Sequence, residues 1–243
     1  MITLYRFGPQ WGFGCVSQFV LKMDTYLRMA ELPFQTTSLQ LKFGELAPKG
    51  KLPYIEHDGV KLADSGFIID YLKSKLGDKH DAGLSATERA TAHCIRRVCE
   101  ENLVWVMAYE RWSSPQEPYF HTPGLFFELG HDTYVSIRDS FLKRIKEHGM
   151  GSHTAAEVAQ IGKEDLDALD VMLGKQKFFA GDKPTSIDAT AYAFLAHASR
   201  PAYESRLKET FDSKQNLVDY TNRMTERFFR DDPTSTAREV PLS

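Results

Sequence analysis

Apolar and polar residues alternate from Ile2 to Phe7, and the branched and aromatic side chains there predict a strand. The next stretch, GPQWGFG from Gly8 to Gly14, is rich in turn formers and predicts a loop. From Ser17 the apolar spacing changes to three and four. Phe19, Met23, Leu27 and Ala30 recur at helical intervals, with Lys22, Asp24 and Arg28 falling between them, and Ser17 is the natural N-cap. The helix ends before Pro33, and Phe34 to Leu39 is a second strand. A strand–helix–strand unit requires parallel pairing through a right-handed crossover. Gln40 to Gly50 carries two glycines and a proline and shows no regular period. Tyr54–His57 and Val60–Ala63 are short strands joined by the hairpin pair Asp58-Gly59. A helix from Ser65 to Leu76 follows, with Phe67, Ile68, Tyr71, Leu72 and Leu76 as its apolar positions.

Past the polar linker GDKHDAG, Gly77 to Gly83, every pattern is helical. One long helix is predicted from Ser85 to about Trp112, opened by a capping-box pair, Ser85 and Glu88. Ser113 to Pro123 contains three prolines and reads as a loop. Helices are predicted over Asp132–His148, Thr154–Leu173 and Thr185–Ala198, with one or two more between Arg206 and Phe229, and Arg230 to Ser243 is expected to be loosely ordered. The order βαβ then ββα is the thioredoxin-like one. The expected fold is an α/β thioredoxin-like N-terminal domain, residues 1–76, plus an all-α C-terminal domain, residues 84–243.

Composition narrows the classes. The formal net charge is -3, from 30 basic and 33 acidic residues, which gives no sign of a nucleic-acid partner. No apolar run approaches the roughly 20 residues of a membrane span, and MITLYRFG reads as a strand where a signal peptide would have a basic region and an apolar segment. A cytoplasmic protein without a membrane partner is expected. The three cysteines, Cys15, Cys94 and Cys99, argue against a disulfide framework, and Cys94 and Cys99 read as core residues. The eight histidines show no metal-ligand spacing, so no metal is expected.

Three stretches carry a resemblance. SQFVLKMDTYLRMAELPF, APKGKLPYIEHDG with the Asp64-Ser65 pair behind it, and PTSIDATAYAFLAH resemble, in this order, hallmarks of the glutathione S-transferase superfamily. Within it, the likeness is greatest to the metaxin and failed-axon-connections branch and its bacterial members. The resemblance spans nearly the whole chain and implies glutathione as the bound thiol. Pro53 matches the family's cis-proline, so that the N–H and C=O of Leu52 would pair with the cysteinyl part of glutathione like an added strand. Asp64 and Ser65 match the acidic-Ser pair at the γ-glutamyl end. The Ser65 hydroxyl and first-turn N–H groups suit a carboxylate, and Asp64 holds the ammonium or shapes the turn. Ser17 takes the place of the catalytic serine, where a hydroxyl and a helix N-terminus both favour a thiolate.

Two departures bear on that last assignment. Gln18 follows Ser17 where the family often has proline, and the loop from Gly8 to Val16 is long and carries Cys15, an alternative working thiol. Trp11 and Phe13 in this loop either wall an apolar substrate pocket or pack on the second domain, while Tyr5 reads as structural. Thr185 and Asp188 match a buried capping box with no chemical role. Trp105, Tyr109 and Trp112 form a stripe that faces either the interdomain cleft or the core.

The function expected is a glutathione transferase acting on a small electrophile, as in detoxification, with a homodimer possible within the family. The alternatives are a Cys15-based thiol–disulfide or reductase activity and a non-catalytic interaction module of the metaxin kind. A mitochondrial outer-membrane role is disfavoured, because no anchor is seen at the C-terminal end of the sequence.

Overall fold

In the computed structural model, residues 1–8, 15–39, 43–113, 128–201 and 203–230 are described. β1 (Ile2–Arg6) pairs in parallel with β2 (Phe34–Ser38) on one side and antiparallel with β3 (Tyr54–His57) on the other, and β4 (Val60–Ala63) completes the order β2-β1-β3-β4. Leu4 lies opposite both Thr36 and Ile55, and all three are wholly buried. The parallel β1–β2 pair is the crossover that the strand–helix–strand pattern requires. The β3–β4 hairpin turns at Asp58-Gly59, both at positive φ, which glycine adopts freely and Asp tolerates.

α1 (Gln18–Met29) and α3 (Ser65–Leu76) pack together against the sheet. A single turn, α2 (Phe43–Leu46), lies where an irregular segment was expected, because four residues are too few for a helical period to register. The helical part runs through α4 (Ala86–Arg97), α5 (Val104–Ser113), α6 (His131–His148), α7 (Ala155–Leu173), α8 (Ser186–Ser199), α9 (Arg206–Asp212) and α10 (Gln215–Phe229). Ser85 and Glu88 form the expected capping box at α4. The long helix is not uniform, however. Between α4 and α5 it widens into a π-helical segment, Val98–Leu103. Cys99 in that segment is buried, but Cys94 is exposed, a correction to its core assignment. Five residues advance roughly 140° around an α-helix, so the two thiols look in different directions.

α8 is the hub of the helical part, with every residue from Ile187 to Ala198 buried, and α1 packs along it. The main hydrophobic core therefore runs without a break from the sheet into the helices. Asp188, fully buried at the start of α8, anchors this hub. Its carboxylate accepts the Thr185 N–H at 2.7 Å, the Thr185 hydroxyl at 3.1 Å, the Phe179 N–H at 2.9 Å and the Tyr220 hydroxyl at 3.2 Å. No described helix is long and apolar enough to cross a membrane. Trp11, Phe13 and the segment after Arg230 lie outside the described residues, as does all but the first residue of the Ser113–Pro123 loop.

Candidate functional site

The N-terminus of α1 opens into a cavity between the sheet and the helical part. Ser17 is the N-cap of α1, with extended backbone (φ -102, ψ 122), and its hydroxyl oxygen accepts the Val20 N–H at a long 3.4 Å. An oxygen used this way keeps its own proton to donate. The cavity, of about 580 Å³, has Phe7, Ser17, Leu52, Arg111, Trp112 and Phe141 among its walls. The Leu52–Pro53 bond is cis, and Leu52 lines the same cavity as Ser17. Arg111 reaches from α5 to donate to the Val16 carbonyl at 3.3 Å, which ties the segment before Ser17 to the second part of the molecule.

Of the two placements open to the aromatic stripe, the core takes all three residues, Trp112 within it and Trp105 and Tyr109 packed against it. The helix face that lines the cavity carries Val104, Ala108, Arg111 and Trp112, whereas Trp105 stacks on His148 at 4.2 Å. Trp112 alone of the three predicted residues borders the cavity, stacked on Phe141 at 4.6 Å. Spacing identified a shared face but not the direction in which it looks.

Cys15 is buried in a small cluster with Val20, Leu39, Ala47, Leu52 and Tyr54. Burial pushes its thiol up to about 11, outweighing backbone hydrogen bonds that favour the thiolate. It is therefore a protonated, packed side chain at neutral pH, the reverse of the exposed low-pKa environment that suits a nucleophilic cysteine. Its neighbour across the interface, His197 of α8, is held down to about 3 by burial, with Arg111 adding to the effect. Tyr5 stacks on Tyr54 at 4.1 Å and donates to Glu56 at 3.3 Å, pointing along the sheet surface.

At the far end of β4, Asp64 and Ser65 divide their duties in a way the sequence did not reveal. Asp64, at φ 77, is the N-cap of α3, and its Oδ1 accepts the N–H groups of Gly66 at 3.0 Å and Phe67 at 3.4 Å. Positive φ at a non-glycine residue costs on the order of 1–3 kcal/mol and concentrates at functional sites. Ser65 is the first helical residue and is buried, and its Oγ accepts from Lys22 Nζ at 3.0 Å. The same ammonium donates to Glu100 Oε1 at 2.6 Å. Lys22 was read as one of the polar positions between the apolar ones of α1. It is instead only 1% exposed. Burial lowers its pKa, and Glu100 opposes that shift.

A family model described as "Glutathione S-transferase N-terminal domain" matches residues 18–117, and one described as "Glutathione S-transferase, C-terminal domain" matches residues 162–224. An isoprene-epoxide–glutathione S-transferase from Rhodococcus sp. (strain AD45) is 35% identical over 94% of this chain and 99% of its own length. Failed axon connections from Drosophila melanogaster is 31% identical over 95% of this chain but only 59% of its own length, and Metaxin-3 from Xenopus laevis is 24% identical over 98% and 80%. Among solved structures, the beta-etherase LigF from Sphingobium sp. strain SYK-6 superposes with a TM-score of 0.68 at 17% identity, covering 95% of this chain and 99% of that one. A rice GST1 in complex with glutathione superposes with a TM-score of 0.62 at 17% identity, covering 96% and 90%.

Proposed function

Because the chain belongs to the glutathione S-transferase superfamily, we propose that it binds glutathione along Leu52, Pro53, Asp64 and Ser65 and that Ser17 holds the thiol as a thiolate for attack on a small electrophile. The observation that carries this reading is that Ser17, at the α1 N-terminus, and Leu52 line the same cavity. A thiol laid along Leu52 would share that cavity with a donor hydroxyl and the positive end of a helix dipole, both of which favour its ionised form. Cys15, buried and protonated, has no comparable access.

The finer proposal is that the electrophile is a small epoxide. Two observations support it. The isoprene-epoxide–glutathione S-transferase relative is similar along almost its whole length. The cavity beside Ser17 is walled in large part by apolar side chains, among them Phe7, Leu52, Trp112 and Phe141, with Lys51, Arg111 and Arg144 as its cations, which suits a small apolar body bearing an oxygen. The thiolate attacks a ring carbon, a C–S bond forms as the ring C–O bond breaks, and the ring oxygen takes the electron pair. The proton lost from the thiol is returned through solvent, leaving a hydroxy-thioether.

The test has two arms. Calorimetry measures glutathione binding, and mass spectrometry then follows glutathione with a panel of small epoxides and an aromatic halide. The expected result is binding below millimolar and a product whose mass is the sum of glutathione and epoxide. No binding at millimolar glutathione would overturn the enzyme reading in favour of an interaction module, the alternative raised by the metaxin relatives. Binding with conjugation of the halide but of no epoxide would overturn the epoxide assignment alone. Incubation with oxidised glutathione supplies the control for Cys15, where a mixed disulfide on its sulfur would favour thiol–disulfide chemistry.

A further inference from the structure

The cavity beside Ser17 carries more positive charge than a neutral electrophile needs. Among the described residues that line it, Lys51, Arg111 and Arg144 are cations and none is acidic. Two of the cations are accounted for. Arg111 holds the Val16 carbonyl, and its chain neighbour Glu110 turns away from it to accept the Ser205 hydroxyl and, at 3.1 Å, the Leu207 N–H. Lys51 precedes Leu52 and so stands beside the thiol peptide that the glutathione reading lays there. Arg144, on α6, has no such duty.

The surroundings of Arg144 prepare it to bind something. Ser136, Ile137, Ser140, Phe141 and Arg144 all line the cavity, and their spacing puts them on one face of α6. An exposed arginine on a helix ordinarily meets an acid about one turn away or points into water. Here the guanidinium lies over the Phe141 ring, 4.2 Å from its centroid, and Phe141 in turn stacks on Trp112. Its Nε donates to the Ser140 carbonyl at 3.3 Å and its Nη2 to the Ser140 hydroxyl at 3.4 Å. A guanidinium has five N–H donors. These bonds use two, and the others have no partner among the described residues. None of the acids on α6, Asp132, Asp139 and Glu147, lines the cavity, and Glu147, three residues on, pairs with Lys143 at 3.8 Å. The Ser140 hydroxyl accepts from Arg144 and so keeps its own proton to donate. A stacked, anchored fork of donors with a hydroxyl beside it matches the planar geometry of a carboxylate.

We propose that the electrophile carries a carboxylate and that Arg144, oriented by Phe141 and Ser140, binds it on the α6 side of the cavity. The inference rests on the glutathione reading above and narrows its substrate class to a small, largely apolar electrophile with an anionic tail, an epoxy acid included. Arg144 selects the substrate and takes no part in bond making.

The test uses product-like ligands, so it does not depend on the reactive group. S-benzylglutathione and its ortho-, meta- and para-carboxybenzyl counterparts share one thiol peptide and differ only in a carboxylate and its reach. Each, and glutathione itself, is titrated calorimetrically into the wild type, Arg144→Gln and Arg144→Lys, with thermal melts to check folding. In the wild type at least one carboxybenzyl conjugate is expected to bind about tenfold or more tightly than S-benzylglutathione, the scale of one hydrogen bond to a charged group. In Arg144→Gln that preference should collapse to within about twofold, through loss of affinity for the carboxylated ligand alone. Arg144→Lys should recover part of it, since an ammonium keeps the charge but not the fork. A wild type that prefers none of the three, or an Arg144→Gln variant that keeps the preference, would overturn the inference. Equal weakening of every ligand, glutathione included, would overturn it too, by assigning Arg144 to the thiol peptide or to the fold. A wild type that binds neither glutathione nor any conjugate would instead overturn the glutathione reading on which it rests.

Discussion

Replacing Ser17 by Ala separates its two roles, cap and thiolate donor, because their magnitudes differ. The cap bond to Val20 N–H is 3.4 Å long, so its loss belongs at the low end for N-caps, about 0.5–1 kcal/mol. For a chain of this size that lowers the melting temperature by about 1–4 °C. The donor role is larger. A hydrogen bond to a charged acceptor contributes about 1.5–3 kcal/mol, which raises the pKa of the bound thiol by about 1 to 2 at 1.36 kcal/mol per pH unit. Below that pKa the thiolate fraction, and with it kcat/KM, should fall about 10- to 100-fold, while at high pH the variant should approach the wild type. The assay is the pH profile of kcat/KM, read beside the ultraviolet absorbance of the thiolate in the glutathione complex. An unchanged apparent pKa in a folded Ser17→Ala enzyme would refute the role, and a uniform loss at all pH values would point to a disturbed loop instead of a lost donor.

Cys15→Ala should retain turnover within about twofold and lose about 1 kcal/mol of stability, as expected for a small truncation in a packed cluster; a folded but inactive variant would restore the cysteine mechanism. Asp188→Ala leaves the buried Thr185 and Phe179 N–H groups without their acceptor, and at about 1–3 kcal/mol each the loss should be on the order of 4 kcal/mol, measurable as a large drop in denaturant midpoint or as failure to accumulate folded protein. His197 should confer acid sensitivity. Its folded pKa is depressed to about 3 from 6.5, so its contribution is complete above pH 6.5 and is lost as pH falls toward 3, while the unfolded chain takes up the proton. Between pH 6.5 and 4.5 the wild type should lose about 2 kcal/mol more than His197→Gln in urea titrations, and parallel curves for the two proteins would contradict this.

Much of the architecture is local in origin and therefore readable along the chain. Alternation marks β1, Asp58-Gly59 marks the hairpin, Ser85 with Glu88 marks the start of α4, and Pro53 marks the strand entry, because each depends on residues a few positions apart. The same holds for Ser17, whose place before an amphipathic helix makes it an N-cap whatever surrounds it. What the chain alone did not reveal depends on which elements come together. Lys22 looked like a polar position on α1 until α3 and the π-helical segment closed over it, since helical periodicity identifies a face but not what covers that face. Cys15 read as an alternative working thiol, but Leu52, Leu39 and Tyr54 pack around it and push its pKa up. Asp64 and Ser65 were legible as a pair, yet only the folded structure assigned the cap to Asp64 and a buried hydroxyl bonded to Lys22 to Ser65. Local backbone preference determined the elements and their order; burial and charge pairing, which arise only between elements distant in sequence, decided which side chains are free to do chemistry.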